Sequence, residues 1–99
     1  MKISVELSVI PIGTGVSISG YIADCCRILE DAGLEVDVGP NGTNVEGEWD
    51  TVFDAIRRCH EKLHNEDGVV RLFSTLKINS RTDKDQSSAE KVEAVRSKL

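Results

Sequence analysis

Met1-Lys2-Ile3-Ser4-Val5-Glu6-Leu7-Ser8-Val9-Ile10-Pro11-Ile12-Gly13-Thr14-Gly15 is the stretch on which the fold turns. Ile3, Val5, Leu7 and Val9 alternate with Ser4, Glu6 and Ser8. A period of two puts the apolar set on one face of a strand and the polar set on the other. Pro11 is expected to end this strand, and Gly13 and Gly15 mark a turn. Glu6 inside the first apolar segment also argues for a strand and against a secretory signal.

Downstream, the period changes. Ile18, Tyr21, Ile22, Cys25, Ile28, Leu29 and Ala32 follow at helical spacing, with Ser17 or Ser19 as the expected N-cap. Gly33 suits the C′ position that stops a helix. Leu34, Val36 and Val38 predict a short second strand. Gly39-Pro40-Asn41-Gly42 is a reverse turn, so a third strand from Thr43 to Gly47 completes a hairpin. Asp50 is the expected N-cap of a second helix whose apolar stripe is Val52, Phe53, Ile56, Cys59 and Leu63. Asp67-Gly68 breaks that helix. Val69 to Ile78 predicts the longest strand, and Asn79 to Gln86 a polar loop. Ser88-Ala89-Glu90-Lys91 opens a third helix with Val92, Val95 and Leu99 as its inner edge.

The order is βαββαβ plus a C-terminal helix. Two βα units joined by a hairpin predict an α+β fold of the ferredoxin-like type. Its antiparallel sheet has four strands, with two helices on one face and right-handed crossovers. The chain has 99 residues, which suits one domain spanning residues 1–99.

The sheet face away from the two helices then carries Ser4, Glu6 and Ser8, Asn44 and Glu46, and Arg71, Phe73, Thr75 and Lys77. It is polar, holds both signs of charge, and includes one aromatic ring. The expectation is that it packs on a second copy, because symmetric association is the common way to cover such a face. A pocket at that interface would be lined by Glu6, Ser8, Glu46 and Thr75.

Composition removes several function classes. Charged residues make up 29% and the net charge is −5, with no basic run. Nucleic-acid binding needs clustered Lys and Arg, so no nucleic-acid partner is expected. No apolar run reaches 18 residues, so no membrane partner is expected either. Cys25, Cys26 and Cys59 form an odd set without an export signal, which suits reduced thiols in the cytoplasm.

His60-Glu61-Lys62-Leu63-His64 matches the H-E-x-x-H pattern. A zinc site needs a third ligand and a cleft, and the chain has no other histidine. The simpler reading is a solvated pair on a helix surface, with no metal. No Ser/His/Asp or Cys/His set stands out, and no enzyme is expected. The glycine turn precedes a helix N-terminus, where main-chain N–H groups attract anions. It lacks the lysine of a P-loop, and Ile18 stands where G-x-G-x-x-G needs its last glycine. The hairpin Gly39–Gly42 lies at the same sheet end, so Thr14 and Thr43 are expected to face one ligand, with Pro11–Gly15 as its backbone rim and Ile12, Gly13 and Thr14 as the site residues within it. Arg81 and Asp83 are expected to pair near Glu48 or Asp50 and pin the last loop.

Three motifs in order now carry a resemblance. Val9-Ile10-Pro11-Ile12-Gly13-Thr14-Gly15 with Ser17 and Ser19, Gly42-Thr43-Asn44-Val45-Glu46-Gly47 with Trp49-Asp50, and Arg81-Thr82-Asp83-Lys84 together resemble the YkoF-like thiamine-binding protein family. The resemblance spans essentially the whole chain. It implies a ferredoxin-like fold, dimers and tetramers assembled through the sheet, and binding of thiamine or its hydroxymethylpyrimidine part without catalysis or a cofactor. It assigns Gly13, Thr14, Thr43 and Glu46 to matching motifs. Glu46 or Glu6 would pair with the cationic ring system, and Thr14, Thr43 or Ser8 would hydrogen-bond its edge. The alternative is a regulatory module of ACT-like geometry that binds another small metabolite between subunits. A third, less favoured, is a metal-dependent enzyme using His60 and His64.

Overall fold

The computed structural model describes residues 1–99. Its elements are β1 (Lys2–Ile12), α1 (Ser19–Asp31), β2 (Glu35–Val38), β3 (Thr43–Glu48), α2 (Trp49–Glu61), β4 (Arg71–Ser80) and α3 (Ser88–Arg96). A π-helical turn over Lys62–Glu66 continues α2. The sheet order is β2-β3-β1-β4, and every pairing is antiparallel. This is the α+β, ferredoxin-like arrangement that the alternation and the two helical stretches predict.

The core follows from the alternation. Val5 lies opposite Val45 on one side and Ile78 on the other, and Leu7 lies opposite Thr43 and Leu76. These residues share the face covered by α1 and α2. Ile3, Val5, Leu7, Val9 and Val45 join Leu29 of α1, Val52, Ala55, Ile56 and Cys59 of α2, and Leu63 in one buried cluster. Aliphatic burial of this kind supplies about 1.5–3 kcal/mol per large side chain.

Several boundaries differ from the sequence reading. Pro11 does not end β1; it is buried and sits opposite Leu72. The pairing of β1 with β3 stops at Leu7 and Thr43, so beyond that point β1 is an edge on that side. Proline is tolerated there because no neighbour needs its missing N–H. Neither Ser17 nor Ser19 caps α1, whose N-cap is Ile18 with no side-chain hydrogen bond. Asp50 is not the cap of α2; Glu48 holds that position in extended backbone, and Asp50 lies in the first turn. An acid there still favours the helix dipole. β4 begins at Arg71 and runs to Ser80, two residues later at each end than expected, because Val69 is spent closing the π turn through its N–H to the Leu63 carbonyl.

The end of α1 matches its reading in detail. Gly33 has φ +84°. Its N–H donates to the Glu30 carbonyl at 2.9 Å and the Leu34 N–H to the Leu29 carbonyl at 3.3 Å. These two bonds form a Schellman motif, which needs a left-handed residue at C′.

The third helix departs most. It docks by its N-terminus on the sheet face opposite α1 and α2, touching Ser4, Asn44 and Glu46 through Ser88. Val92, Val95 and Leu99 do not form a buried inner edge; they are 48%, 61% and 98% exposed. No residue of α3 is buried.

Candidate functional site

The open face of the sheet brings together most of the expected side chains in adjacent rows. Glu46 lies opposite Ser4, Asn44 opposite Glu6, Glu6 opposite Lys77, and Ser8 opposite Thr75. Lys77 Nζ stands 3.6 Å from Glu6 Oε1. Ile10 and Phe73 pair next, then Ile12 and Arg71. Phe73 is 60% exposed and Ile12 46% exposed. One end of the face is therefore apolar and the other is acidic.

Glu46 is the exceptional member. It is a buried carboxylate, which is costly unless hydrogen-bonded. Its Oε1 accepts from the Ser88 main-chain N–H at 2.5 Å, at the positive end of α3. Asn44 Nδ2 donates to Ser88 Oγ at 2.8 Å, and the Ser4 and Ser88 hydroxyls stand 3.2 Å apart. Ser87 completes the cap by accepting from the Glu90 N–H at 3.1 Å. The sequence reading missed Ser88 as an organiser. The signal was present in Ser87-Ser88-Ala89-Glu90, a capping-box pattern that marks a helix start.

This clamp creates a cleft of about 630 Å³ between α3 and the strands β2 and β3. Glu35, Asp37, Glu46 and Glu93 line it, against one cation, Arg96. Asn44, Ser88 and Val92 complete its walls. Four carboxylates around one opening attract cations, and the attraction strengthens where water is partly excluded.

The other expected residues fall elsewhere. Thr43 is buried on the α1/α2 face, with its hydroxyl 3.9 Å from Cys26 Sγ. Together with Ser8, Ile10, Ile18, Ile22 and the Gly39–Gly42 hairpin, it lines a second cleft of about 350 Å³. Ser8 Oγ donates to the Asn41 carbonyl at 3.2 Å, tying β1 to that hairpin. Thr14 is not among the residues that line this cleft. The Thr14 hydroxyl oxygen is shielded from solvent and has no hydrogen-bond partner. Gly13 and Gly15 adopt φ +84° and +92°, which glycine alone reaches without strain. Ile12 and Gly13 are exposed at that turn.

Arg81 and Asp83 pair with each other, and neither makes an ion pair with Glu48 or Asp50. Arg81 Nε and Nη2 both donate to the Asp83 carboxylate, the second at 2.8 Å, and Nη1 donates to Gln86 Oε1 at 2.9 Å. The guanidinium holds the Asp83 carboxyl down to about 2. Glu48 instead accepts from the Met1 amine at 2.9 Å. Trp49 is 41% exposed and stacks on Phe53 with ring centroids 4.9 Å apart.

The two histidines are not simply solvated. His60 Nε2 is 2.6 Å from Ser74 Oγ, and His64 Nδ1 is 2.7 Å from the Val69 carbonyl. Burial, helped by the neighbouring His64, lowers the His60 pKa. No group of three or more His, Cys, Asp or Glu side chains converges as a metal site. All three cysteines are buried free thiols. No helix is long and apolar enough to cross a membrane.

Known proteins share this architecture. The sequence profile of a family described as "Thiamine-binding protein" matches residues 5–96. A UPF0045 protein of Synechocystis sp. is 43% identical over 95 residues, covering 96% of this chain and 78% of its own. A UPF0045 protein of Methanocaldococcus jannaschii is 33% identical, covering 95% of this chain and 92% of its own. The crystal structure of a hypothetical protein of M. jannaschii superposes with a TM-score of 0.87 at 33% identity, covering 96% of each chain. A Thermotoga maritima protein assigned provisionally to thiamine biosynthesis or salvage superposes with a TM-score of 0.80 at 24% identity, covering 97% of this chain and all of its own. At that identity the last match speaks for the fold.

Proposed function

The chain belongs to the thiamine-binding protein family, and from that premise we propose that it binds thiamine, or the hydroxymethylpyrimidine part of thiamine, without catalysing a reaction. The observation that carries the reading is the acidic cleft under α3, which four carboxylates line and where Ser88 holds one of them, Glu46, in place. Thiamine combines a fixed positive charge on its thiazolium ring with an aminopyrimidine that donates hydrogen bonds. A carboxylate-lined cleft of about 630 Å³ suits both features. One Glu46 oxygen is committed to Ser88, which leaves the second to meet a ligand. At an effective dielectric near 20, opposite charges about 4 Å apart attract by about 4 kcal/mol.

Ser8, Thr75 and Glu6 extend the polar face away from the cleft, and Ile10, Ile12 and Phe73 close it with an exposed apolar patch. The same proposal has this face meeting a second copy of the chain, so that the ligand lies near a subunit boundary in a dimer or tetramer. Ile12, Gly13, Thr14 and Thr43 would then belong to the rim at the hairpin end.

Calorimetric titration with thiamine and with hydroxymethylpyrimidine tests the ligand. Glu46→Gln keeps an oxygen for Ser88 but removes the charge, and it should weaken binding about tenfold or more, the loss of one charge-assisted contact. Asp37→Asn should add to the loss. No saturable heat with either compound refutes the reading, and unchanged affinity in Glu46→Gln moves the ligand out of this cleft. Light scattering tests the assembly, which a monomer at all concentrations refutes.

A further inference from the structure

Another cleft lies on the other side of the α3 N-terminus, with a volume of about 520 Å³. Its charge is opposite to that of the thiamine cleft. Lys2, Arg81, Lys84 and Lys91 line it, against one carboxylate, Asp85. In a chain whose net charge is −5, such a concentration of cations is not a by-product of composition. We propose that this cleft binds a phosphoryl group, either as inorganic phosphate or as the phosphate ester of a small molecule.

Three observations support the assignment. The first is unused positive charge. The ion pairs made by residues lining the cleft are the Met1 amine with Glu48 at 2.9 Å, Lys2 with Asp85 at 3.6 Å and Arg81 with Asp83. None engages Lys84 or Lys91, and these two side chains line the opening from the loop and from α3. The second is a guanidinium already fixed in place. Arg81 spends three of its N–H groups on Asp83 and Gln86, which leaves two for a ligand. An arginine held by its neighbours loses less side-chain freedom on binding, and its planar fork matches phosphate oxygens. The third is neutral hydrogen-bonding capacity between the charges, from Ser4, Asn79 and Thr82. Phosphate carries more acceptor oxygens than the lysines alone can fill, and these groups complete its shell.

The Arg81-Thr82-Asp83-Lys84 element thus has a role beyond pinning the loop. Asp83 orients Arg81, and Lys84 supplies charge. The proposal stands apart from the thiamine reading, because it concerns a different cleft and the opposite charge.

The test is NMR titration of the whole chain with inorganic phosphate, run beside chloride at matched ionic strength. Phosphate should shift the amides of Asn79–Gln86 and Lys91 saturably, while chloride should not. Lys84→Gln and Lys91→Gln, the first exposed and the second half-buried, should each weaken phosphate about tenfold. Equal shifts with phosphate and chloride overturn the proposal, as do saturable shifts centred on Gly13–Gly15, or affinity unchanged in both variants. Thiamine and thiamine monophosphate distinguish the sources. A phosphate ester as natural ligand predicts tighter binding of the monophosphate than of inorganic phosphate, with the gain lost in Lys84→Gln. Equal affinity assigns the cleft to free phosphate. Failure of thiamine with phosphate still bound refutes only the function proposed above; failure of phosphate with thiamine still bound refutes only this inference.

Discussion

Replacing Glu46 by Ala should release α3 while leaving the core folded. The helix has nine residues and no buried side chain, and a helix that short does not persist in water without tertiary support. Its support is the Ser88 cluster, with Glu46 Oε1 at 2.5 Å, Asn44 Nδ2 at 2.8 Å and Ser4 Oγ at 3.2 Å. Glu46→Ala removes the charged member. A hydrogen bond to a charged group contributes about 1.5–3 kcal/mol. That loss should accelerate amide exchange in Lys91–Arg96 roughly 10- to 150-fold, at 1.4 kcal/mol per factor of ten. Glu46→Gln keeps an acceptor and loses only the charge at the helix terminus, about 0.3–1 kcal/mol, so its acceleration should be roughly 2- to 5-fold. Amides of Val5, Val45 and Leu29 should accelerate less than those of α3, because local opening need not unfold the sheet. Hydrogen–deuterium exchange followed residue by residue is the assay. Unchanged exchange in α3 refutes the reasoning. So does acceleration of core and helix by one common factor, since that would make α3 part of a single cooperative unit.

Leu29, fully buried between α1 and the sheet, should cost about 2–5 kcal/mol on truncation to Ala, read as a shift in the urea midpoint. Gly33→Ala should cost about 1 kcal/mol, because φ is +84° while a Cβ there meets nothing within 4 Å; a loss above that of Leu29→Ala would mean that the site is crowded. Asp24, Asp54 and Asp83 all have lowered pKa values, through hydrogen bonds from Lys62, Arg57 and Arg81 respectively. Their contribution to stability is therefore present above the ordinary carboxylate value near 3.8 and lost as pH falls below it, for Asp83 toward about 2. Thermal denaturation against pH should show the fall, and Lys62→Met should make it shallower. A disulfide-exchange reagent should find none of the three thiols in the folded chain and all three in denaturant, since all are buried; rapid labelling of Cys26 in the native state would contradict its packing against Thr43.

The alternation Ile3-x-Val5-x-Leu7-x-Val9 and the stop at Gly33 were legible because each is a local pattern with a single structural solution. The open face was legible for the same reason: once β1 is in register, Glu6, Ser8, Glu46 and Thr75 must share a side. Thr43 follows the same rule to the opposite side, which the motif match obscured. Pro11 misled because proline is a poor strand residue only where a neighbour needs its N–H, and β3 stops short of it. The place of α3 was not legible. Its stripe of Val92, Val95 and Leu99 suggested an apolar contact, whereas its docking depends on Ser88 meeting Asn44 and Glu46, residues more than forty positions away. The Arg81–Asp83 pair was legible as a pair, but its further partner Gln86 was not, because a polar loop has no period from which to read contacts.

The N-terminus of α3 stands between two clefts of opposite sign, and this separates what the molecule offers at long and at short range. In low salt, where the Debye length reaches about 30 Å, an ion still far from either cleft meets mainly the net charge of −5. A cation is drawn in from a distance and an anion is turned away. Close to the surface the sign depends on which side of the helix the ion reaches. Added salt should therefore slow cation capture at the carboxylate side. On the lysine side it should first speed anion arrival, by screening the net charge, before it weakens the contact itself. One short helix makes the two encounter rates respond to ionic strength in opposite directions.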